Sequence, residues 1–132
     1  RMAEIHEDIS NFPNDYETTV GERGITLSGG QKQRISIARA IMSKPQLYIF
    51  DDCLSAVDTE TENKIINNLQ RVMDKTTSII ITHRVSSAIH CDHIIVLGEG
   101  EITESGNHSQ LVANNGFYAD SYEQQLLSKE EV

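Results

Sequence analysis

The chain of 132 residues carries a formal net charge of −9, two cysteines and 38% hydrophobic residues, which fits one modest domain able to hide about two-thirds of its unfolded surface. No apolar run exceeds four residues, as at Ile94 to Leu97, whereas a membrane-spanning helix needs roughly 18 to 20, and no basic-then-apolar leader marks secretion. A pI near 4.9, with seven acids against the single base Lys129 across residues 99–132, argues against a nucleic-acid or anionic-membrane footprint, and Cys53 and Cys91 suit a reducing compartment.

Residues 1–11 read as the end of a helix, with Met2, Ile5 and Ile9 along one face and Pro13 closing it. Asn11 to Gly30 is rich in turn residues and reads as a long surface connection, a kind of segment that is usually functional. A helix follows over about Gly30 to Ser43, with Ile35, Ala38, Ile41 and Met42 expected on its buried face and Pro45 beyond its end. Gln46 to Asp51 reads as a strand buried on both faces. The next helix, about Thr59 to Lys75, has Thr59 and Glu62 as a capping box and Ile65, Ile66, Leu69, Val72 and Met73 as its apolar stripe. Thr77 to Thr82 reads as a second buried strand, followed by a short helical stretch around Ser86 to His90, and this alternation predicts a parallel α/β sheet. His93 to Leu97 and Glu101 to Ser105 pair as a hairpin across Gly98-Glu99-Gly100, and the end is helical over Ser109 to Ala113 and Phe117 to about Lys129. Phe117, Tyr118 and Tyr122 read as packing residues, and the acidic tail as a solvated face.

Three stretches place chemistry at element ends. Leu27-Ser28-Gly29-Gly30-Gln31 opens a helix with a hydroxyl and two residues lacking side chains, exposing backbone N–H groups at the positive end of the helix dipole, a phosphate-sized anion site. The alternative is an ordinary Ser-capped helix after a Gly-Gly turn. Leu47-Tyr48-Ile49-Phe50-Asp51-Asp52 delivers two acids at the carboxyl end of a strand, where α/β folds bind ligands. Asp51 suits Mg²⁺ held largely through water, since that ion takes few carboxylates plus phosphate oxygens; otherwise the acids merely end the strand, and Asp58, Glu60 and Glu62 decorate a helix N-terminus. Ile79-Ile80-Ile81-Thr82-His83-Arg84 ends a strand on an imidazole, which can donate to a phosphate oxygen and accept from water near neutral pH, or can be structural. His6, His90, His93 and His108 lack metal-ligand spacing with Cys53 or Cys91 and read as non-functional.

LSGGQ, continued as LSGGQKQRISIARAI, resembles the signature sequence of ATP-binding cassette (ABC) ATPases. Downstream, LYIFDD resembles the family's Walker B strand, Ser55-Ala56-Val57-Asp58 its D-loop, and His83 its switch histidine. Thr19-Val20-Gly21-Glu22-Arg23-Gly24 is similar to the X-loop of ABC exporters, with Thr19 where the usual pattern has an acid. His93 to Gly98, Glu104 to Leu111 and Gly116-Phe117-Tyr118 resemble the close of an exporter nucleotide-binding domain. The resemblance implies an α/β fold, a partial P-loop NTPase (RecA-like) sheet with the end of the ABC helical subdomain. Residues 1–44 would finish that subdomain, with the X-loop-like segment and signature helix, and residues 45–132 would form the C-terminal part of the ATPase core.

It also implies ATP-driven export. Ser28, Gly29, Gly30 and Gln31, with Leu27 beside them, would contact the γ-phosphate of ATP held by a second nucleotide-binding domain, and Asp58 would belong to the loop crossing that interface. Asp51 would position Mg²⁺, Asp52 would occupy the water-polarising base position, and His83 would sense the γ-phosphate. The implied partners are that second domain and a transmembrane domain reached through coupling helices, at the cytoplasmic face of the inner membrane, with no nucleic acid and no bilayer insertion by this segment.

Two departures qualify the match. None of the eight glycines precedes a lysine, so the phosphate-cradling G-x-x-x-x-G-K-[ST] loop is missing, as are the adenine-stacking aromatic and the glutamine loop. The chain is therefore expected to be a C-terminal fragment with negligible ATP affinity and no hydrolysis of its own. Asp52 stands where the family has glutamate; losing one methylene withdraws the carboxylate by more than ~1 Å, a misplacement that can cost ~10²-fold in rate. An intact signature beside Asp52 resembles the degenerate-site half of a heterodimeric multidrug exporter. Two other readings are a soluble ABC-type ATPase acting on DNA or ribosomes, disfavoured by VGERG and the acidic balance, and a non-catalytic interaction module.

Overall fold

Strand alternation sets the core of the first half of the chain. In the computed structural model, which describes residues 1–130, β1 (Leu47–Asp51) turns Tyr48 and Phe50 inward, their rings stacked with centroids 5.5 Å apart, and leaves Ile49 61% exposed. β1 is therefore covered on one face, not the expected two. The same holds for β2 (Thr77–Ile81), whose Ile79 and Ile81 are exposed beside Ile49. The reason is positional: helices meet only the face that carries Tyr48, Phe50 and Ile80.

β1 and β2 pair in parallel, Leu47 opposite Thr77 through Asp51 opposite Ile81, joined by the helix α3 (Thr59–Met73) as the alternation predicted. α3 buries Ile65, Ile66 and Leu69, with Val72 and Met73 partly covered, so its apolar stripe is as expected. Each such side chain contributes about 1.5–3 kcal/mol on burial. Its cap differs from the expected Thr59–Glu62 box. Asp58 is the N-cap, its carboxylate accepting from the Thr61 N–H at 2.9 Å, and Glu62, one turn in, is fully buried. Asp58 has the extended backbone an N-cap needs, which leaves Thr59 as the first helical residue.

α1 is shorter than expected, only His6–Ser10, because Ala3 and Ile5 reach the core from a turn that precedes it. α2 (Gly29–Met42) buries Ile37 rather than Met42, which is 80% exposed. Met42 ends the helix and, five residues beyond Ile37, is rotated from it by about 140°. Between α1 and α2 the chain makes a 3₁₀ turn at Asp15–Glu17 and then a closed loop in which the Gly21 and Ile25 N–H groups donate to the Ile25 and Thr19 carbonyls. A Cβ on Gly24 would lie 1.9 Å from the Thr19 carbonyl oxygen, so this loop can close only around glycine.

Arg1–Ile81 forms one compact unit and the chain from Thr82 onward a second. In the second, α4 (Val85–Ala88) precedes the antiparallel hairpin of β3 (Ile94–Gly98) and β4 (Glu101–Gly106). The hairpin closes on Glu99 and Gly100, both at positive φ, a two-residue turn matching strand twist. α5 (His108–Ala113) and α6 (Phe117–Glu130) then bring Leu111 and Tyr118 into one cluster with Val85 and Ile94. Tyr118 is buried and Tyr122 partly so, but Phe117, expected to pack, is 69% exposed as the first residue of its helix. Glu104 of β4 accepts the Tyr118 N–H at 3.1 Å, placing a carboxylate at the start of α6. Residues 131–132, the end of the acidic tail, lie outside the described residues.

Candidate functional site

The signature stretch is a fully formed helix start. Ser28 caps α2, its Oγ accepting from the Gln31 N–H at 3.1 Å while the Gln31 side chain accepts from the Ser28 N–H at 2.9 Å. Ser28 and Gly29 are exposed, and Leu27, Gly30 and Gln31 half-buried. The Ser-capped description thus holds locally, and it leaves the positive end of a 14-residue helix accessible from outside. The Gln31 amide also donates to Asp8 at 2.9 Å, and Asp8 is paired with Arg34 at 2.8 Å. Arg34 in turn donates to the Glu4 carbonyl. Burial alone would raise the Asp8 carboxyl, but hydrogen bonds from Arg34 and Gln31 and the guanidinium charge outweigh it and hold the group below its ordinary value.

The acid pair sits where β1 ends. Asp51 is its last residue and exposed; Asp52 follows with φ +46 and donates its N–H to the Ile81 carbonyl at 2.9 Å, extending the parallel ladder by one bond. Aspartate tolerates this left-handed backbone better than most residues with a longer side chain. Lys32, Gln33 and Ser36 of α2 and Asp51, Asp52 and Cys53 line one open cleft. A single exposed carboxylate at a strand end fits Mg²⁺ coordinated mostly by water and phosphate oxygens, and among the described residues no cluster of three or more His, Cys, Asp or Glu could hold a metal alone.

The turn after the acids is bound to α2. Gln33 donates to Ser55 Oγ at 2.9 Å and to the Asp52 carbonyl at 3.4 Å, and accepts the Ala56 N–H at 2.9 Å. Ala56 also lies against the glycines: a Cβ on Gly30 would be 2.8 Å from its carbonyl oxygen. The turn ends at Asp58, whose exposed carboxyl the Thr61 N–H holds below its ordinary value. Asp8 and Gln33 escaped the sequence reading because their partners lie 19 or more positions away with no local pattern to announce them.

In the second unit His83 is exposed, in a segment held by Gln125 of α6. Gln125 donates to the His83 carbonyl at 3.3 Å and accepts the Val85 N–H at 2.8 Å. The histidines read as non-functional include three with aromatic or hydroxyl partners, His6 with Tyr16, His93 with Ser105 and His108 with Tyr118.

Both cysteines are free thiols. Burial pushes Cys53 up from 9.0 to about 11, helped by the charges of Asp52, Glu62 and Asp51. A rise of that size leaves about 100-fold less thiolate at pH 8, and the greater nucleophilicity of a more basic sulfur recovers about tenfold of it. Alkylation of Cys53 by iodoacetamide is therefore expected to run about tenfold slower than that of an unperturbed thiol, with a rate that keeps climbing past pH 10. Peptide-resolved mass spectrometry over a pH series reads both.

The family described as ABC transporter matches residues 1–55. The multidrug resistance-like ATP-binding protein MdlA of Buchnera aphidicola subsp. Schizaphis graminum is 50% identical over 131 residues, 98% of this chain and 22% of that protein. The probable multidrug resistance ABC transporter ATP-binding/permease protein YheI of Bacillus subtilis is 51% identical over 133 residues, 98% of this chain and 23% of that protein. The structure of a bacterial Atm1-family ABC exporter with ATP bound superposes with a TM-score of 0.86 at 41% identity, covering 95% of this chain and 22% of the other. The chain thus spans about a fifth of the length of the relatives it matches. Agreement in sequence and fold along nearly the whole chain, signature helix and acid-bearing strand included, supports an ABC exporter nucleotide-binding segment.

Proposed function

We propose that this chain supplies the signature helix, acid pair and switch segment of an ATPase domain that drives export across a membrane. The observation that carries the reading is the joining of two half-sites in one body: an exposed helix N-terminus at Ser28 and Gly29, bound through Gln33 to the turn that follows Asp51 and Asp52. Phosphoryl transfer asks the protein for positioning and charge stabilisation more than for covalent chemistry. Ser28, Gly29, Gly30 and Gln31 present hydroxyl, amide and backbone donors to the γ-phosphate of ATP on a second nucleotide-binding domain. Asp51 would hold Mg²⁺, whose charge, when the ion is bound, would offset that developing on the phosphates. Asp52 orients water from the base position, Asp58 lies in the loop facing the partner, and His83 donates to a phosphate oxygen.

In this reading residues 1–44 close the helical subdomain and residues 45–132 belong to the ATPase core, at the cytoplasmic face of the inner membrane. The Thr19–Gly24 loop, with Glu22 and Arg23 exposed at its tip, faces the coupling helices of a transmembrane domain. Among the described residues no helix is long and apolar enough to cross a membrane. Lacking a Gly-Lys pair, the 132-residue chain completes a partner's site without binding ATP itself. Purified alone with MgATP it is expected to give no turnover. Asp51→Asn in the full-length transporter, read with the second ATP site silenced, should lower vesicle-reconstituted ATPase by at least about 10²-fold, since the metal's charge stabilisation is worth several kcal/mol. Hydrolysis that survives this substitution would sink the reading.

A further inference from the structure

We infer that Gln33 is a positioning residue that sets the acid pair and the following turn by the position of the signature helix. The inference rests on the ATPase reading above and adds to it a physical link between the two half-sites.

Gln33 lies on the first turn and a half of α2, one residue past the signature pentapeptide and Lys32. Its carboxamide is engaged at both ends. The nitrogen donates to Ser55 Oγ at 2.9 Å and to the Asp52 carbonyl at 3.4 Å, and the oxygen accepts the Ala56 N–H at 2.9 Å. Ser55 Oγ itself donates to the Asp52 carbonyl at 3.1 Å, so the amide completes a closed ring of bonds around the turn. Two backbone groups and one hydroxyl of residues 52–56 thus take their positions from one side chain on α2.

Steric contact reinforces the bond pattern. The Ala56 carbonyl oxygen sits 2.8 Å from where a Gly30 Cβ would be, and Ala56 Cβ 3.4 Å from that of Gly29. The turn therefore cannot approach α2 more closely, and the Gln33 amide keeps it from moving away. Asp52 is at φ +46, its N–H donating to the Ile81 carbonyl at 2.9 Å and its carbonyl accepting the Ser55 N–H at 3.4 Å beside the Gln33 amide, so the peptide group that leaves Asp52 belongs to the turn that Gln33 grips. Any shift of α2 caused by phosphate at Ser28 is carried by this amide to the Asp52 carbonyl.

Gln33→Met keeps the length and apolar stem and removes all three bonds; Gln33→Ala serves as a second truncation. In the full-length transporter with the second ATP site silenced, Gln33→Met is expected to lower kcat about tenfold with KM for ATP within twofold, since misplacement near 1 Å costs up to ~10²-fold in rate. Hydrogen exchange of the Ala56 amide should accelerate at least tenfold while α3 amides such as Ile65 and Leu69 keep their rates, which separates a released turn from general unfolding. Unchanged Ala56 protection, or a kcat within twofold of wild type in both variants, overturns the inference. A rise in KM with kcat intact also overturns it, because that would make Gln33 a binding residue. If Asp51→Asn in the same preparation leaves hydrolysis intact, the ATPase reading itself has failed, and the inference with it.

Discussion

Gly30→Ala is expected to destabilise the domain by about 1–2 kcal/mol, whereas Gly29→Ala should be close to neutral. Both positions are in the first turn of α2, where replacing glycine by alanine gains up to ~1 kcal/mol of helix propensity. What differs is the neighbour. At Gly30 the new methyl would be 2.8 Å from the Ala56 carbonyl oxygen, a backbone atom that Gln33 and the capped start of α3 hold in place. At Gly29 it would be 3.4 Å from a methyl group, ordinary contact. Overpacking against backbone costs ~1–3 kcal/mol and outweighs the propensity gain at Gly30 alone. Thermal unfolding should show a drop of about 5–10 °C for Gly30→Ala and under about 2 °C for Gly29→Ala. Under the proposed function, ATPase of the full-length transporter, read with the second ATP site silenced, should fall about tenfold with the displaced turn. Equal effects at the two glycines would mean that Ala56 does not set the requirement.

This assigns the glycine pair a role the bare sequence does not disclose. Two adjacent side-chain-free residues at a helix start read as an open approach for phosphate. The structure shows that the second of them is occupied from within, by the turn that follows the acid pair. Backbone approach by another part of the same chain leaves no trace in local spacing.

Elements with a strong period were legible. α3 has five apolar positions at helical spacing and forms with its stripe inward; the parallel pairing of β1 with β2 follows from the alternation of elements around it. Burial of the strands was not legible, because an apolar run such as Leu47-Tyr48-Ile49-Phe50 reports that both faces could be covered, and coverage depends on which elements are present. The caps show the same limit. Asp58 and Thr59 are adjacent, each with a partner three residues on, and only the backbone turn decides that Asp58 accepts the bond. Ser28, Asp51 and Asp52 in the first unit and His83 in the second were legible as candidates because each stands at an element end, where a short motif determines position. Asp8, Gln33 and Gln125 were not, since each is an ordinary polar residue whose partner is distant in sequence.

Under the proposed function, Asp52→Glu is the substitution that separates a two-fold symmetric assembly from an asymmetric one. If both ATP sites carry Asp52, each runs about 10² below a site with glutamate, because the carboxylate is withdrawn by more than ~1 Å. Restoring the methylene would then raise turnover by up to about 10²-fold. If the partner domain carries a glutamate, its site already does nearly all the work and that of Asp52 contributes about 1%. Completing the second site can then at most double the rate. We expect the second outcome, with Asp52→Asn changing turnover by less than twofold and loss of the partner's glutamate removing nearly all of it. The backbone adds a check that does not depend on activity. Asp52 is at φ +46, which aspartate accepts and glutamate resists by up to about 1–2 kcal/mol, so Asp52→Glu should unfold several degrees earlier whichever assembly holds. A rate increase well above twofold, seen together with that lowered midpoint, would show that the variant carboxylate has reached the base position and that the two sites are alike.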